Sequence, residues 1–219
     1  LGNGKATTPA GGVRRAEIAT VAGMIGVTAR GVAAPAAQTE TLDLGLADEA
    51  IEAGSPVRAV NSTRDVPELY AWWEALKLAE VIERDRSRIR PGEYAQEFTH
   101  GELPPLETAE MLASTFISEL LAHELGPRRT MLSSMVVFLV AEKLRAAVAD
   151  RAPEEPVDLS QWKEEIAPRV AVLLQMLESA GLVDASGGEI EVPPALRGVV
   201  LKGAIMGLMI LNEDDAVDD

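Results

Sequence analysis

The sequence contains no cysteine. That absence excludes a disulfide framework, a thiolate-bound zinc or iron–sulfur centre and any thiol chemistry. Histidine is almost as scarce, with only His100 and His123. A metal site would need several carboxylates to converge on one of them, so neither a metal site nor a cofactor is expected. Continuous apolar runs are short. The longest are residues 135–141 and 199–209, the second broken by Lys202, and neither approaches the ~18 residues that span a bilayer. Arg14-Arg15 ahead of an apolar stretch looks like a twin-arginine leader. Glu17 and Arg30 are costly inside such a stretch, so it reads instead as an amphipathic helix. The expectation is a cytoplasmic protein with no membrane segment.

Positive charge is the other shortage. The 219 residues carry a formal net charge of -15, with 47% hydrophobic residues and 25% charged ones. This composition suits a globular chain of one or two domains and excludes wholesale disorder. The acid excess is uneven. Residues 1–100 hold 11 Lys/Arg against 14 Asp/Glu, whereas residues 101–219 hold 9 against 21. The second half repels a phosphate backbone at long range; the first is close to neutral.

Apolar spacing is helical along most of the chain. Ile18, Val21, Ala22 and Ile25 predict a first helix over 13–25. Residues 31–41 read as loop, and a short helix is expected near 46–53. Asp65 as cap, Pro67 and Glu68 predict the start of a helix whose stripe of Leu69, Trp72, Trp73, Leu76 and Ala79 runs to about Ile82. His100–Pro105 is polar and holds two prolines, which places the division between a domain 1–100 and a domain 101–219. Further helices are expected over 106–125, stopped by Gly126-Pro127, and over 129–150. Another carries Trp162 to Ala180, with Asp158 and Gln161 as its capping pair and Gly181 past its end. The last runs from Pro194 to about 211 and precedes an acidic tail.

Two segments match at a constant offset of 101 residues. Leu69, Trp72, Trp73 and Leu76 align with Val170, Leu173, Leu174 and Leu177. Ala79 aligns with Ala180, Val81-Ile82 with Leu182-Val183, and Ile89 with Ile190. Each unit reads as a striped helix, a two-residue apolar exit, a polar turn and a strand, the sequence shape of the last helix and wing of a winged helix. The fold class expected is therefore mostly α: two winged-helix-like domains with short β-hairpin wings.

The first half also resembles a known group. Thr8, Pro9, Gly11, Val13, Arg14, Ala16 and Glu17, followed by Pro67, Leu69, Trp73, Ala79, Val81 and Ile82, follow a pattern found in actinobacterial winged-helix-like proteins. Some of these are associated with plasmid pRiA4b ORF-3-like domains. The resemblance covers residues 5–95, needs one inserted residue at Gly11-Gly12, and has Glu80 where the group has Gly. It implies a winged-helix-like fold and brings no catalytic residue, because the group has no established chemistry to carry over.

The residues that invite a functional reading are few. Arg84, Arg86, Arg88 and Arg90 alternate, and on one strand a period of two would place all four on one face, a candidate nucleic-acid contact. The helix before them offers Glu68, Glu74, Glu80 and Glu83 against Lys77, and the corresponding second turn, DASGGEIE, is acidic. Both disfavour nucleic acid as partner. Gly203 and Gly207, with Met206 and Ile210, form a candidate helix–helix or dimer contact in the last helix. Gly2-Asn3-Gly4-Lys5-Ala6 lacks the Ser/Thr of a phosphate loop, and no G-x-S-x-G motif occurs, so no catalytic residue is assigned. The first-ranked function is a non-enzymatic interaction or regulatory module with a protein partner, including a homodimer. Second is a DNA-binding regulator using the Arg84–Arg90 wing, and third a small-molecule enzyme.

Overall fold

The structure, a computed structural model, describes residues 5–8, 11–27, 29–31, 58–86, 88–98, 103–150, 162–185 and 189–213. The helix expected near 46–53, the Asp158/Gln161 cap, His100 and the acidic tail beyond 213 lie outside the described residues. The chain is mostly helical with small sheets. It divides into two compact units, Leu1–Pro104 and Pro105–Asp219.

The first unit opens with β1 (Lys5–Ala6). After a 3-10 turn at Arg15–Glu17 comes α1 (Ile18–Met24), followed by β2 (Ala29–Gly31) and β3 (Arg58–Val60), α2 (Pro67–Leu78), β4 (Ile82–Asp85) and β5 (Arg88–Pro91). β2 and β3 pair in parallel, Arg30 opposite Ala59. The sequence reading has no strand there, because three-residue strands leave no alternation to read. The core gathers Val13, Ile18, Ala22, Ala29, Val60, Val66 and Leu69, with Val21, Val27 and Trp73 packed against it. Its polar seam is satisfied. The Val13 N–H donates to Thr63 Oγ1 at 3.0 Å, and the Trp73 Nε1–H to the Gly11 carbonyl at 3.1 Å.

Asp65 does not cap α2. Its carboxylate accepts from the backbone N–H groups of Asn61 and Ser62, closing a capping box with Ser62 on the turn Thr63–Asp65, and α2 starts behind Val66 with Pro67 in its first turn. These bonds, the one from Asn61 first, hold the Asp65 carboxyl below the usual range. The buried face of α2 also differs from the expected stripe. Ala71, Ala75 and Ala79, spaced by four, are fully buried beside Leu69 and Glu68. Trp72, Trp73 and Leu76 are half-buried. Small residues let the helix approach its core closely, which moves the two indoles to the flanks. In the second unit the expectation holds for Leu173 and Leu177, which are buried, and less so for the half-buried Leu174.

That unit consists of α3 (Leu106–Leu125), α4 (Met131–Val148), α5 (Lys163–Ser179) and α6 (Arg197–Glu213), with an antiparallel bridge Asp184–Glu191 between α5 and α6. Thr130 caps α4, accepting from the Ser133 N–H at 3.1 Å, a cap that the sequence reading missed. α6 packs on α3 and α4 through Val199, Val200, Gly203, Ala204 and Gly207. Arg129, between α3 and α4, donates to the carbonyls of Ile210 (2.5 Å) and Leu211 (2.7 Å). It thereby satisfies acceptors at the end of α6 and complements its dipole. Residues Pro194–Asn212 form a 19-residue stretch of mean hydropathy 1.6, long and apolar enough by length and composition to cross a membrane. This corrects the reading that no run approaches that length: Lys202 interrupts the stretch without lowering its mean enough.

The two helix ends expected to be equivalent are built alike. In unit one the N–H groups of Ala79, Glu80 and Val81 donate to the carbonyls of Ala75, Lys77 and Leu76. In unit two those of Ala180, Gly181 and Leu182 donate to Met176, Glu178 and Leu177. Glu80 (φ 54°) and Gly181 (φ 70°) both take the left-handed conformation that ends a helix. Glu83 opposes Arg90 in one hairpin and Asp184 opposes Glu191 in the other. Every one of these pairs is separated by 101 residues.

Glu124 on α3 meets Arg169 on α5, with 2.5 Å between Oε1 and Nη2. Burial raises its carboxyl above the usual range, and Arg169 only partly offsets this. A raised folded-state value favours folding below the unfolded pKa, and that contribution is lost as the pH rises through the folded value. Glu124→Gln is therefore expected to be at least as stable as the parent at neutral pH, with the difference closing as the pH falls toward the carboxylate range. Urea unfolding at the two pH values checks this; a variant weakened at neutral pH contradicts it.

Candidate functional site

The alternating arginines lie on a short β-hairpin, as a hairpin wing after the helix implies. Arg84 is on β4 and Arg88 and Arg90 are on β5. Arg86 is in the two-residue connection, where its φ of 52° suits the twist of a tight hairpin turn. β5 is the central strand of a three-stranded sheet ordered β1-β5-β4. Ile82 opposes Pro91, Glu83 opposes Arg90, Arg84 opposes Ile89 and Asp85 opposes Arg88, while Lys5 and Ala6 oppose Ile89 and Arg88.

This register corrects the single-face expectation. Directly opposed residues of antiparallel strands point to the same side of a sheet, and successive residues alternate. With two residues in the connection, the numbers of opposed residues sum to an odd value. An even-numbered residue on β4 therefore shares its side with odd-numbered residues on β5. Arg84 lies on the side of Ile82, Ile89, Pro91 and Lys5; Arg88 and Arg90 lie on the other with Glu83 and Asp85.

The first side mixes half-buried apolar residues with the exposed Lys5, Arg84 and Pro91. Ile82 and Ile89 are half-buried. Arg84 lies over Gly11, where an added Cβ would come within 3.0 Å of its Cδ, and its Nε–H donates to the Arg86 carbonyl at 3.0 Å. Lys5 pairs with Glu17 at 3.7 Å. The second side faces solvent and is zwitterionic, with Arg90 reaching diagonally to Asp85 at 2.7 Å. All four arginines are exposed.

The acids of α2 are drawn into local structure. Glu68 is buried, and Glu74 pairs with Lys77 at 2.5 Å. In the second unit the equivalent hairpin carries Asp184, Glu189 and Glu191, and 180–192 contains no Lys or Arg.

The glycines of the last helix serve the interior of unit two. A Cβ on Gly203 would lie 2.6 Å from Ile117 Cβ and 2.9 Å from the Ser114 carbonyl, and one on Gly207 would collide with Leu121. They form a helix–helix contact of α6 with α3, which corrects the dimer alternative for both. Met206 and Ile210 are half-buried beside them, and Ile205 and Met209 are the exposed apolar residues of α6. His123 is half-buried in the last turn of α3, and among the described residues no group of three His, Cys, Asp or Glu stands ready to hold a metal ion.

Comparison of the chain with protein-family models, curated proteins and solved structures yields no match.

Gly203→Ala is expected to destabilise unit two by roughly 1–3 kcal/mol, the range for forcing a methyl into a packed contact. Its oligomeric state should stay that of the parent. Thermal unfolding and sedimentation velocity separate the two effects: an unchanged midpoint with altered sedimentation would return Gly203 to a dimer surface.

Proposed function

We propose that this chain is a non-enzymatic interaction or regulatory module built on tandem winged-helix-like units, acting in the cytoplasm. The observation that carries this reading is the zwitterionic wing. Asp85 and Glu83 stand on the same side as Arg88 and Arg90 and directly across from them. A row of phosphates presents one sign of charge, and on this side it meets a carboxylate column next to every arginine. A protein surface can match both columns. The doubled construction of helix, left-handed stop and hairpin supports the tandem reading, as does the resemblance of residues 5–95 to the actinobacterial winged-helix-like group. α2 disfavours base reading too, since Glu68 is buried and Glu74 and Lys77 are spent on each other, which leaves little to read base edges.

A DNA-binding regulator is the second reading. Arg84 and Arg86 favour it, because they stand outside the zwitterionic side near the tip of the hairpin. Titration of duplex DNA at about 50 mM salt, where counterion release favours binding most, decides between them. The expected outcome is binding no tighter than about 10⁻⁶ M even at that salt, the tight end of non-specific association at physiological salt. A submicromolar affinity that falls steeply with salt, and is lost when Arg84, Arg86, Arg88 and Arg90 become Ala, would install the second reading.

A further inference from the structure

We propose that the outer side of the β4–β5 hairpin is a self-complementary contact surface whose partner is the same surface on a second copy of this chain. The inference rests on the interaction-module reading and names its partner. The surface consists of two parallel columns. Glu83 and Asp85 form an acidic column on β4, and Arg90 and Arg88 form a basic column on β5. Glu83 stands level with Arg90, and Asp85 stands level with Arg88. Beyond the basic column β1 adds only the methyl group of Ala6, opposite Arg88.

A second copy can be laid face to face on this surface by a two-fold axis that runs parallel to the strands, midway between the columns. Rotation about that axis exchanges left and right and leaves position along the strand unchanged. The acidic column of one copy then lies over the basic column of the other. Because opposed residues share a level, Glu83 meets the second copy's Arg90 and Asp85 meets the second copy's Arg88. Symmetry supplies the two reciprocal pairs, so four ion pairs follow from one register. A two-fold axis perpendicular to the strands and lying in the plane between the faces would set each column over its own copy, acid on acid and arginine on arginine. The charges therefore select one orientation of the second copy. Facing sheets stand about 10 Å apart, a gap that an arginine and a carboxylate side chain reaching toward each other can bridge.

Within one copy Arg90 already pairs with Asp85. Its guanidinium carries five donors, so the intermolecular pair shares or replaces that bond without leaving a charge alone. The pairs sit at the surface, so the association is weak and falls with ionic strength. The absence of cysteine excludes disulfide-linked dimers as a confounding species.

Sedimentation equilibrium of the full chain tests the proposal. The expected result is a reversible monomer–dimer equilibrium whose Kd rises tenfold or more between about 50 and about 500 mM salt. Two charge-reversed variants, Glu83→Lys/Asp85→Lys and Arg88→Glu/Arg90→Glu, should each be monomeric with an unchanged circular-dichroism spectrum. An equimolar mixture of the two should recover the dimer. If either variant fails to fold, the neutral pairs Glu83→Gln/Asp85→Asn and Arg88→Gln/Arg90→Gln replace them, and each must raise the Kd at least tenfold. A parent chain that stays monomeric at low salt and high concentration overturns the contact, as does a folded variant that dimerises as the parent does. Such a result leaves the interaction-module reading in place with a different partner, whereas tight duplex binding overturns that reading by itself.

Discussion

In each unit a left-handed residue stops a helix and leads the chain into an antiparallel pairing that the rest of the hairpin follows from. At Glu80 the backbone turns with φ 54°, and the Val81 N–H closes onto the Leu76 carbonyl at 3.0 Å. At Gly181 the same turn occurs, and Leu182 closes onto Leu177 at 3.0 Å. Glycine takes this conformation without steric cost, whereas a residue with a Cβ is held there at a penalty on the order of 1–2 kcal/mol. Unit one sustains Glu80 because its carbonyl is used: it accepts the Tyr94 N–H at 3.2 Å, and Gly92 packs so close to it that any Cβ on Gly92 would collide. Val81 then drops into the interior and its carbonyl accepts the Gly92 N–H at 2.9 Å, fixing where both strands start. The position of the charges on the hairpin follows from that anchor.

The charges in turn hold the register. A slip of one residue would oppose Arg84 to Arg88 or Arg90 and set Glu83 against Ile89 or Pro91, so like charges would meet and ion pairs would be lost. In the observed register Arg84 faces Ile89, and each acid on β4 faces an arginine on β5. Unit two lacks this selection. Among the described residues, Asp184 and Glu191 exchange backbone bonds of 2.8 Å each way, and like charges directly opposed weaken such a pair.

Much of this was legible in the sequence because it depends on local rules. Pro67 marks the first turn of α2, Gly126 and Gly181 sit past the ends of α3 and α5, and the 101-residue repeat recurs in the helix stops and cross-strand partners. The errors came where local patterns are degenerate. Trp72, Trp73 and Leu76 look like the core stripe because they are large, yet burial depends on which face can come closest, and Ala71, Ala75 and Ala79 offer that face. Asp65 looks like a helix cap because any acid ahead of a proline-led helix does, and only the loop geometry shows that it closes the preceding turn. β2 and β3 carry no pattern at all, since three residues cannot display a period.

The arginine run is the most instructive case, because the residues and the hairpin were readable and the conclusion about their shared side was not. Alternation along a continuous strand keeps a set of residues together. Alternation through a hairpin keeps them together only when the connection has an odd number of residues. Two residues, 86 and 87, lie between Asp85 and Arg88, so the set splits: Arg84 takes the side of Ile82 and Ile89, over Gly11, and Arg88 and Arg90 take the side of Glu83 and Asp85. A cationic stripe becomes a paired acidic and basic surface without any change in composition. The length of one turn thereby decides whether this hairpin carries its arginines in one row or beside acids on a mixed face, and here it gives the mixed face.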